Sequence, residues 1–248
     1  MMDKKINTIV VIPTYNEADN IENIIEQIFS LGVDIAILVV DDNSPDGTAG
    51  KIEKLQNCCP RLYLIKRKYK LGLSSAYMEG FKFALRGGYD IAIQMDADLS
   101  HSPKDIPKML CLLNEYDLVI GSRYIRGSNI NEWPISRVIL SKSANIFSRI
   151  MLDIPINDLT GGFKCIKRKV LEDIVWDKIN SKGYVFQIEM ICQALRKGAK
   201  IVEYPIEFKK RKKGHSKLSL GIIIEAFFEI LRLTLHNIKR YILPAESN

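Results

Sequence analysis

The stretch from Ile6 to Thr48, INTIVVIPTYNEADNIENIIEQIFSLGVDIAILVVDDNSPDGT, decides the fold. It opens with a β-branched apolar run, Ile6 to Ile12, that is typical of a buried strand, and a second such run follows at Ile35 to Val40. Between the two runs, one face of a predicted helix with Asp19 as its N-cap carries Ile21, Ile24, Ile25 and Ile28. A helix that joins two buried strands predicts a parallel pairing of those strands.

The same alternation continues as far as Ile120. Further strands are predicted at Leu62 to Ile65, Tyr89 to Met95 and Leu118 to Ile120, and a second amphipathic helix carries Leu73, Ala76, Tyr77, Phe81 and Ala84 on its apolar face. We therefore predict an α/β fold, Rossmann-like, with a mostly parallel central sheet flanked by helices. Ligands of such sheets bind beyond the carboxyl ends of the strands.

Beyond Gly121 the pattern loosens. It predicts helices at Ser136 to Leu152 and Tyr184 to Lys197, and strands at Gly161 to Ile166 and Ile201 to Phe208. We interpret residues 1–217 as one catalytic domain and residues 218–248 as a C-terminal amphipathic helical appendage. The apolar side of that helix would lie on a membrane, against a membrane-bound partner subunit, in the core or in a homodimer.

Composition narrows the class of protein. Of 248 residues, 47% are apolar and 26% charged, as in globular proteins, and 36 Lys and Arg against 29 Asp and Glu leave a net charge of +7 that favours anionic partners. Five cysteines without CxxC spacing fit a reducing cytosol rather than a disulfide framework or a zinc ribbon. Without a leader or a spanning segment, the sequence predicts a cytoplasmic protein that associates with a membrane only peripherally.

Polar turns follow the predicted strands. The turns from Pro13 to Glu17 and from Asp41 to Thr48 are rich in hydrogen-bond acceptors where a nucleoside would bind. Neither turn is GxGxxG and the chain has no P-loop sequence, so a glycine-built phosphate cradle is excluded. After the fourth strand, Asp96 and Asp98 place two carboxylates on one side of an extended segment, which suits Mg²⁺ or Mn²⁺ but also suits an ordinary solvated turn.

Cationic and hydroxyl side chains come after the fifth strand. Arg137 and Ser141 stand four residues apart on one helix face, and Arg123 lies in the turn before them. Together they could bind a phosphate, although each alone would suit an exposed surface equally well.

These segments together resemble the polyprenyl-phosphate (dolichyl-phosphate) mannosyltransferases, which are inverting members of glycosyltransferase family 2 with the GT-A fold. The resemblance covers nearly the whole chain and rests on PTYNEADNI from Pro13, VDDNSPDGT from Val40, GLSSAY from Gly72, MDADLSHSP from Met95 and GSRY from Gly121. It continues in WPISRVILSKSAN from Trp133, DLTGGFK from Asp158, GYVFQIEM from Gly183 and FKKRKKGHSK from Phe208.

The resemblance implies transfer of mannose from GDP-mannose to a polyprenyl phosphate, with a site assembled from several motifs. By position, the implied nucleoside contacts are Pro13, Tyr15, Glu17, Val39 and Asp41, and the implied contacts to the sugar diphosphate are Asp96, Ala97 and Asp98, with Mg²⁺ or Mn²⁺ on the two aspartates. Arg123, Arg211 and Lys217 are implied around the donor diphosphate or sugar, and Arg137 with Ser141 around the acceptor phosphate, which Arg123 would also orient. The implied catalytic residues are Asp98, Arg123, Arg137 and Ser141, whereas Ser100 departs from a glutamine that some relatives use as a further metal ligand.

The basic run from Lys209 to Lys217 is predicted to be a flexible loop that closes over the donor, with attraction to anionic lipid as a second effect. No nucleic acid is expected as a partner, because aromatic residues do not interleave the run. The expected partners are the two substrates and the cytosolic membrane surface, with a separate membrane-anchoring subunit as one route to it. Two alternatives stay open: another donor such as UDP-glucose on the same fold, and a non-catalytic nucleotide-sugar-binding subunit. The three histidines are assigned no catalytic role.

Overall fold

The computed structural model describes residues 7–130, 133–179, 181, 183–209, 228, 230–232 and 234, without the side chain of Tyr184. Its strands are β1 (Thr8–Thr14), β2 (Ile35–Asp41), β3 (Leu62–Lys66), β4 (Ile91–Gln94), β5 (Leu118–Ser122), β6 (Asn129–Ile130), β7 (Lys164–Lys167), β8 (Ile201–Pro205) and β9 (Glu207–Phe208). Its helices are α1 (Ile21–Phe29), α2 (Thr48–Gln56), α3 (Leu73–Arg86), α4 (Ile106–Leu112), α5 (Ile135–Leu152), α6 (Arg168–Asp173) and α7 (Gly183–Arg196), with 3₁₀ turns at Pro103–Asp105 and Trp176–Lys178.

Seven strands form the central sheet, in the order β3-β2-β1-β4-β7-β5-β8. Every pairing is parallel except those of β7, which runs antiparallel to both β4 and β5. Strands β4 and β5 are therefore parallel to each other, and their carboxyl ends reach the same edge of the sheet as those of β1 and β2. The predicted mostly parallel sheet is confirmed, and β6 and β9 form a second, two-stranded sheet beside it.

The core lies on both faces of the sheet, because successive strand residues point to opposite sides. In β1, Ile9 and Val11 belong to a cluster that includes α3, α6 and α7 residues, whereas Val10 and Ile12 belong to a cluster that includes residues of α1, α2 and α4. Both faces are covered by helices, which explains why the strands read as continuous apolar runs.

Three details of the predicted elements are wrong. The predicted strand 201–208 is two strands, because residues 201–205 pair with β5 whereas Glu207 and Phe208 pair with β6. Helix α1 begins at Ile21 with Asn20, not Asp19, at the N-cap. Leu73 does not share the buried face of α3, because it is the first residue of the helix and 42% of it is exposed.

Helices α2, α4 and α6 were not predicted. Each buries only two residues of its own, which is too few for a helical period to stand out: Thr48 and Ile52 in α2, Ile106 and Met109 in α4, and Val170 and Leu171 in α6.

The boundary between residues 217 and 218 lies outside the described residues, so the division into a domain and an appendage stays a prediction. Of the appendage, Ile230 is buried in the core, and the Thr234 hydroxyl donates to the Met151 carbonyl of α5 at 3.3 Å.

Candidate active site

The polar turns after β1 and β2 fold against each other. The Thr14 hydroxyl donates to Asp41 Oδ1 at 2.8 Å, and Asp41 also accepts the N–H and hydroxyl of Ser44 at 2.9 and 2.6 Å. Asp41 is buried, so its carboxylate fixes both turns. Of the other predicted nucleoside contacts, Pro13 and Val39 are buried in the strands, and Tyr15 and Glu17 are half-buried in the turn after β1.

The neighbouring Asp42 was not predicted as a site residue, yet it organises the loop after β3. Its carboxylate accepts the N–H groups of Leu71 and Gly72, both at 2.8 Å, and pairs with Arg67 at 3.2 Å. These contacts bring the loop towards the predicted nucleoside turn, where Lys70 Nζ lies 3.5 Å from the centroid of the Tyr15 ring. The doubled aspartate after β2 was the signal in the sequence.

The acidic pair follows β4, as predicted. Asp96 Oδ1 accepts the hydroxyl of Tyr77 at 2.8 Å, and Asp98 Oδ1 accepts the N–H of Ser100 at 3.0 Å. Leu99, between Asp98 and Ser100, has a φ of 61°, a left-handed conformation that tightens the turn. Burial, together with the negative charge of Asp96, raises the pKa of Tyr77 well above its usual value, which keeps the phenol as a donor to the carboxylate.

His101 lies beside this turn, although it was assigned no catalytic role from the sequence. Its ring stacks on Phe163 with the centroids 5.2 Å apart, and its Nδ1 accepts the Asp96 N–H at 3.5 Å. Burial lowers the pKa of His101 despite the nearby carboxylates, so a neutral imidazole supports the acidic turn. Its position five residues after Asp96 was the available signal.

The acidic turn suits a divalent cation. Carboxylate oxygens are the ligands that Mg²⁺ and Mn²⁺ prefer, and Asp96 Oδ2 faces Gly162, where a Cβ would come within 2.9 Å of it. A glycine at this position therefore leaves room for the oxygen. In the part of the chain that the structure describes, no group of three metal-binding side chains occurs.

Arg123 follows β5 and is held by Asp158. Its Nε and one terminal nitrogen each donate to the Asp158 carboxylate at 2.7 Å, and its backbone N–H donates to the same group at 3.0 Å. That terminal nitrogen also donates to the Thr160 hydroxyl at 2.8 Å. Burial alone would raise the pKa of Asp158, but attraction to the guanidinium and its hydrogen bonds hold that pKa below its usual value. Arg123 was predicted as a site residue, whereas its partner Asp158, 35 residues further along the chain, was not.

Helix α5 carries Arg137 and Ser141, and Ser141 contacts the turn after β5 that contains Arg123. The Tyr124 hydroxyl, next to Arg123 in the chain, donates to Ser141 Oγ at 2.6 Å. The Arg137 guanidinium carbon lies 3.9 Å from the centroid of the Trp133 ring, and its buried Nε has no hydrogen-bond partner among the described residues. Buried donors without a partner are rare and costly, so this group is poised for an acceptor.

The chain matches the model of a known family and several curated proteins. Residues 9–175 match the model described as glycosyl transferase family 2. The chain belongs to this family. The transferase is 42% identical to a polyprenol monophosphomannose synthase of Mycolicibacterium smegmatis over 90% of this chain and 85% of that protein. It is 39% identical to an undecaprenyl-phosphate mannosyltransferase of Micrococcus luteus over 90% and 92% of the two chains.

Solved structures show the same fold. A mannosyl-3-phosphoglycerate synthase of Rubrobacter xylanophilus matches 98% of this chain and 77% of its own with a TM-score of 0.66 at 17% identity. A mannosyltransferase of Pyrobaculum calidifontis, solved with GDP-Man and Mn²⁺, matches 99% of this chain and 67% of its own with a TM-score of 0.62 at 18% identity. The transferase therefore has the predicted GT-A fold.

Two predicted donor contacts of the transferase, Arg211 and Lys217, lie outside the described residues. The first residue of their basic run does reach the acidic turn, because the Lys209 N–H donates to the Ser100 carbonyl at 3.1 Å. Among the described helices, none is both long and apolar enough to span a bilayer.

Proposed function

We propose that this transferase moves mannose from GDP-mannose to a polyprenyl phosphate with inversion at the anomeric carbon. The observation that carries the proposal is that acidic and cationic side chains lie at the same edge of the central sheet. Asp96 and Asp98 follow β4, Arg123 follows β5, and only β7 separates the two strands, which is a distance of about 10 Å between strand axes. Relatives named for polyprenyl-phosphate mannose transfer support the substrate pair.

On the donor side, Asp96 and Asp98 would hold Mg²⁺ or Mn²⁺, which supplies charge neutralisation for the diphosphate that departs. Tyr77 and Ser100 orient these carboxylates through the hydrogen bonds at 2.8 and 3.0 Å. Tyr15 and Glu17 would contact the nucleoside, and the basic run with Arg211 and Lys217 would close over the diphosphate. The Pyrobaculum calidifontis structure contains GDP-Man, whereas a glucosyl-3-phosphoglycerate synthase of the same fold contains UDP-Glc, so the donor screen described below identifies the nucleotide.

On the acceptor side, Arg137 and Ser141 would bind the lipid phosphate. Its oxygen is already anionic at neutral pH, so it attacks the anomeric carbon without a general base. The new bond forms as the bond to the diphosphate oxygen breaks, and GDP leaves with the electron pair, which inverts the carbon. Arg123 enters this step already aligned by Asp158, so catalysis draws on positioning and electrostatics.

The transferase would meet its lipid as a peripheral protein on the cytosolic face of a membrane. Helix α5, which carries Arg137 and Ser141, exposes four isoleucines, Ile135, Ile139, Ile146 and Ile150, at 54–78% of their surface. Their spacing puts them on one side of the helix. This exposed apolar stripe lies on the same helix as Arg137 and Ser141 but on the opposite face, where it suits contact with a bilayer that holds the rest of the acceptor.

The test incubates the purified full chain with a short polyprenyl phosphate and each common nucleotide sugar, with Mn²⁺ or with EDTA, and detects glycolipid by mass spectrometry. We expect a metal-dependent product from GDP-mannose. Asp98→Ala should abolish it without loss of the folded state, whereas Asp177→Asn, at an exposed carboxylate of a 3₁₀ turn, should not. Product from a different donor would overturn the mannose assignment, and no product from any donor would overturn the enzymatic one.

A further inference from the structure

Lys164 is a fully buried lysine that the proposed reaction does not use. It lies in β7, paired with Gln94 of β4 on one side and Ile120 of β5 on the other, and its side chain is among the largest that are completely buried. An ammonium in this position is costly unless its hydrogen bonds are satisfied. Its presence between the two strands that carry the site therefore calls for a physical reason.

The Lys164 ammonium ties a turn to a helix. Its Nζ donates to the Gly161 carbonyl and, at 2.6 Å, to Oε1 of Gln187 in α7. Burial lowers the pKa of Lys164 to about 7, while the Asp158 and Asp96 carboxylates oppose that shift. The ammonium thus lies in the field of one carboxylate from each half of the site.

The turn of residues 158–162, which Lys164 holds, contacts both the acceptor side and the donor side of the proposed site. Asp158 and Thr160 accept hydrogen bonds from Arg123 on the acceptor side. On the donor side, Gly162 lies so close to Asp96 Oδ2 that an added Cβ would come within 2.9 Å of it. A shift of this turn would therefore move the supports of Arg123 and Asp96 together.

We propose that Lys164 is a positioning residue that fixes the 158–162 turn between β7 and α7, and thereby holds Asp96 ready for the metal and Arg123 ready for the acceptor. The inference rests on the proposed function, since it takes Asp96 as a metal ligand. Residues that orient metal ligands in this way typically change metal affinity by about 10- to 100-fold when they are replaced.

Electrostatics and positioning predict opposite effects for Lys164→Met. The variant removes a positive charge near Asp96, so the Coulomb interaction alone would tighten the binding of a divalent cation. If Lys164 acts by holding the turn, its loss weakens that binding instead. The direction of the change in metal affinity therefore distinguishes a positioning role from a purely electrostatic one. Metal affinity can also be measured without catalysis.

The experiment titrates Mn²⁺ into the full chain in the presence of GDP and follows free Mn²⁺ by electron paramagnetic resonance. We expect Lys164→Met to weaken Mn²⁺ binding by about 10-fold or more, and Gln187→Leu, which keeps the lysine and its bond to Gly161, to weaken it less. The matched control is Lys167→Met on the same strand, whose partly exposed ammonium contacts Asp117 at 3.4 Å, and it should leave Mn²⁺ affinity unchanged.

Unchanged or tighter Mn²⁺ binding by folded Lys164→Met would overturn the proposal. If that variant does not fold, Gln187→Leu decides: wild-type affinity overturns the proposal, and weakened binding with a native near-ultraviolet circular dichroism spectrum supports it. A wild-type chain that fails to bind Mn²⁺ with GDP would overturn the metal assignment of the proposed function and this inference with it. Failure of the proposed function is thus seen in the wild-type chain, whereas failure of this inference alone is seen only in the variants.

Discussion

The Arg123–Asp158 pair offers a stability test, through Asp158→Asn. Asp158 is completely buried and accepts three hydrogen bonds from Arg123, two from the guanidinium at 2.7 Å and one from the backbone at 3.0 Å. Neutralising one partner of a buried ion pair leaves the other charge uncompensated and costs about 3–5 kcal/mol. The new amide keeps one acceptor oxygen, so we expect the lower end, about 3 kcal/mol, or about 10 °C in Tm for a chain of this size.

Urea unfolding followed by circular dichroism measures this loss, and a double-mutant cycle with Arg123→Met isolates the pair. The cycle should give a coupling of about 2 kcal/mol or more, because the two side chains share one network. The control is Glu53→Gln, since Glu53 pairs at 2.9 Å with Lys66 and both side chains are about half exposed. Because exposed ion pairs contribute little, that variant should cost far less stability. A loss from Asp158→Asn no larger than the control's would refute the reasoning.

The pH dependence of the same variant has a definite sign. Because the pKa of Asp158 is lowered in the folded protein, its contribution is complete above the unfolded-state pKa, about 3.9, and is lost as the pH falls through the folded-state value. The stability difference between wild type and Asp158→Asn should therefore be constant from pH 5 to 7 and shrink below about pH 4. A difference that grows on acidification would contradict the assigned ion pair.

Two further predictions concern the metal and the membrane. Gly162→Ala places a Cβ 2.9 Å from Asp96 Oδ2, so Mn²⁺ affinity, titrated in the presence of GDP, should fall by about 10-fold. The control is Gly50→Ala, where a Cβ meets no atom within 4 Å and Mn²⁺ affinity should not change. Equal affinities in both variants would show that Asp96 tolerates the methyl group. Replacing Ile139 and Ile146 by glutamine should reduce binding to anionic vesicles in a flotation assay by about 10-fold, with little change in Tm. The control is Val175→Gln, which changes an exposed apolar residue outside α5 and should leave vesicle binding unchanged. Undiminished vesicle binding by the double isoleucine variant would rule out the α5 stripe as the membrane contact.

The alternation of apolar runs predicted the central strands closely, because residues buried on both sheet faces leave a continuous β-branched signal. Strand β2 shows this, since all seven of its residues are buried. The prediction failed where burial was slight or the chain changed partners. Helix α2 buries only Thr48 and Ile52, and the break at Ile206 comes from the pairing of β9 with β6, which no local pattern reveals.

The sequence by itself determined the α/β class, the acidic pair after β4 and the cationic groups after β5, since each depends on local residue type and on the order of strands. Only the tertiary structure decided that Asp158 holds Arg123, that Gly162 lies against Asp96 and that Lys164 is buried between β4 and β5. The physical reason is that β7 inserts antiparallel between two parallel strands. That insertion brings the turn before β7 to the functional edge of the sheet, and it is fixed by long-range pairing rather than by local propensity.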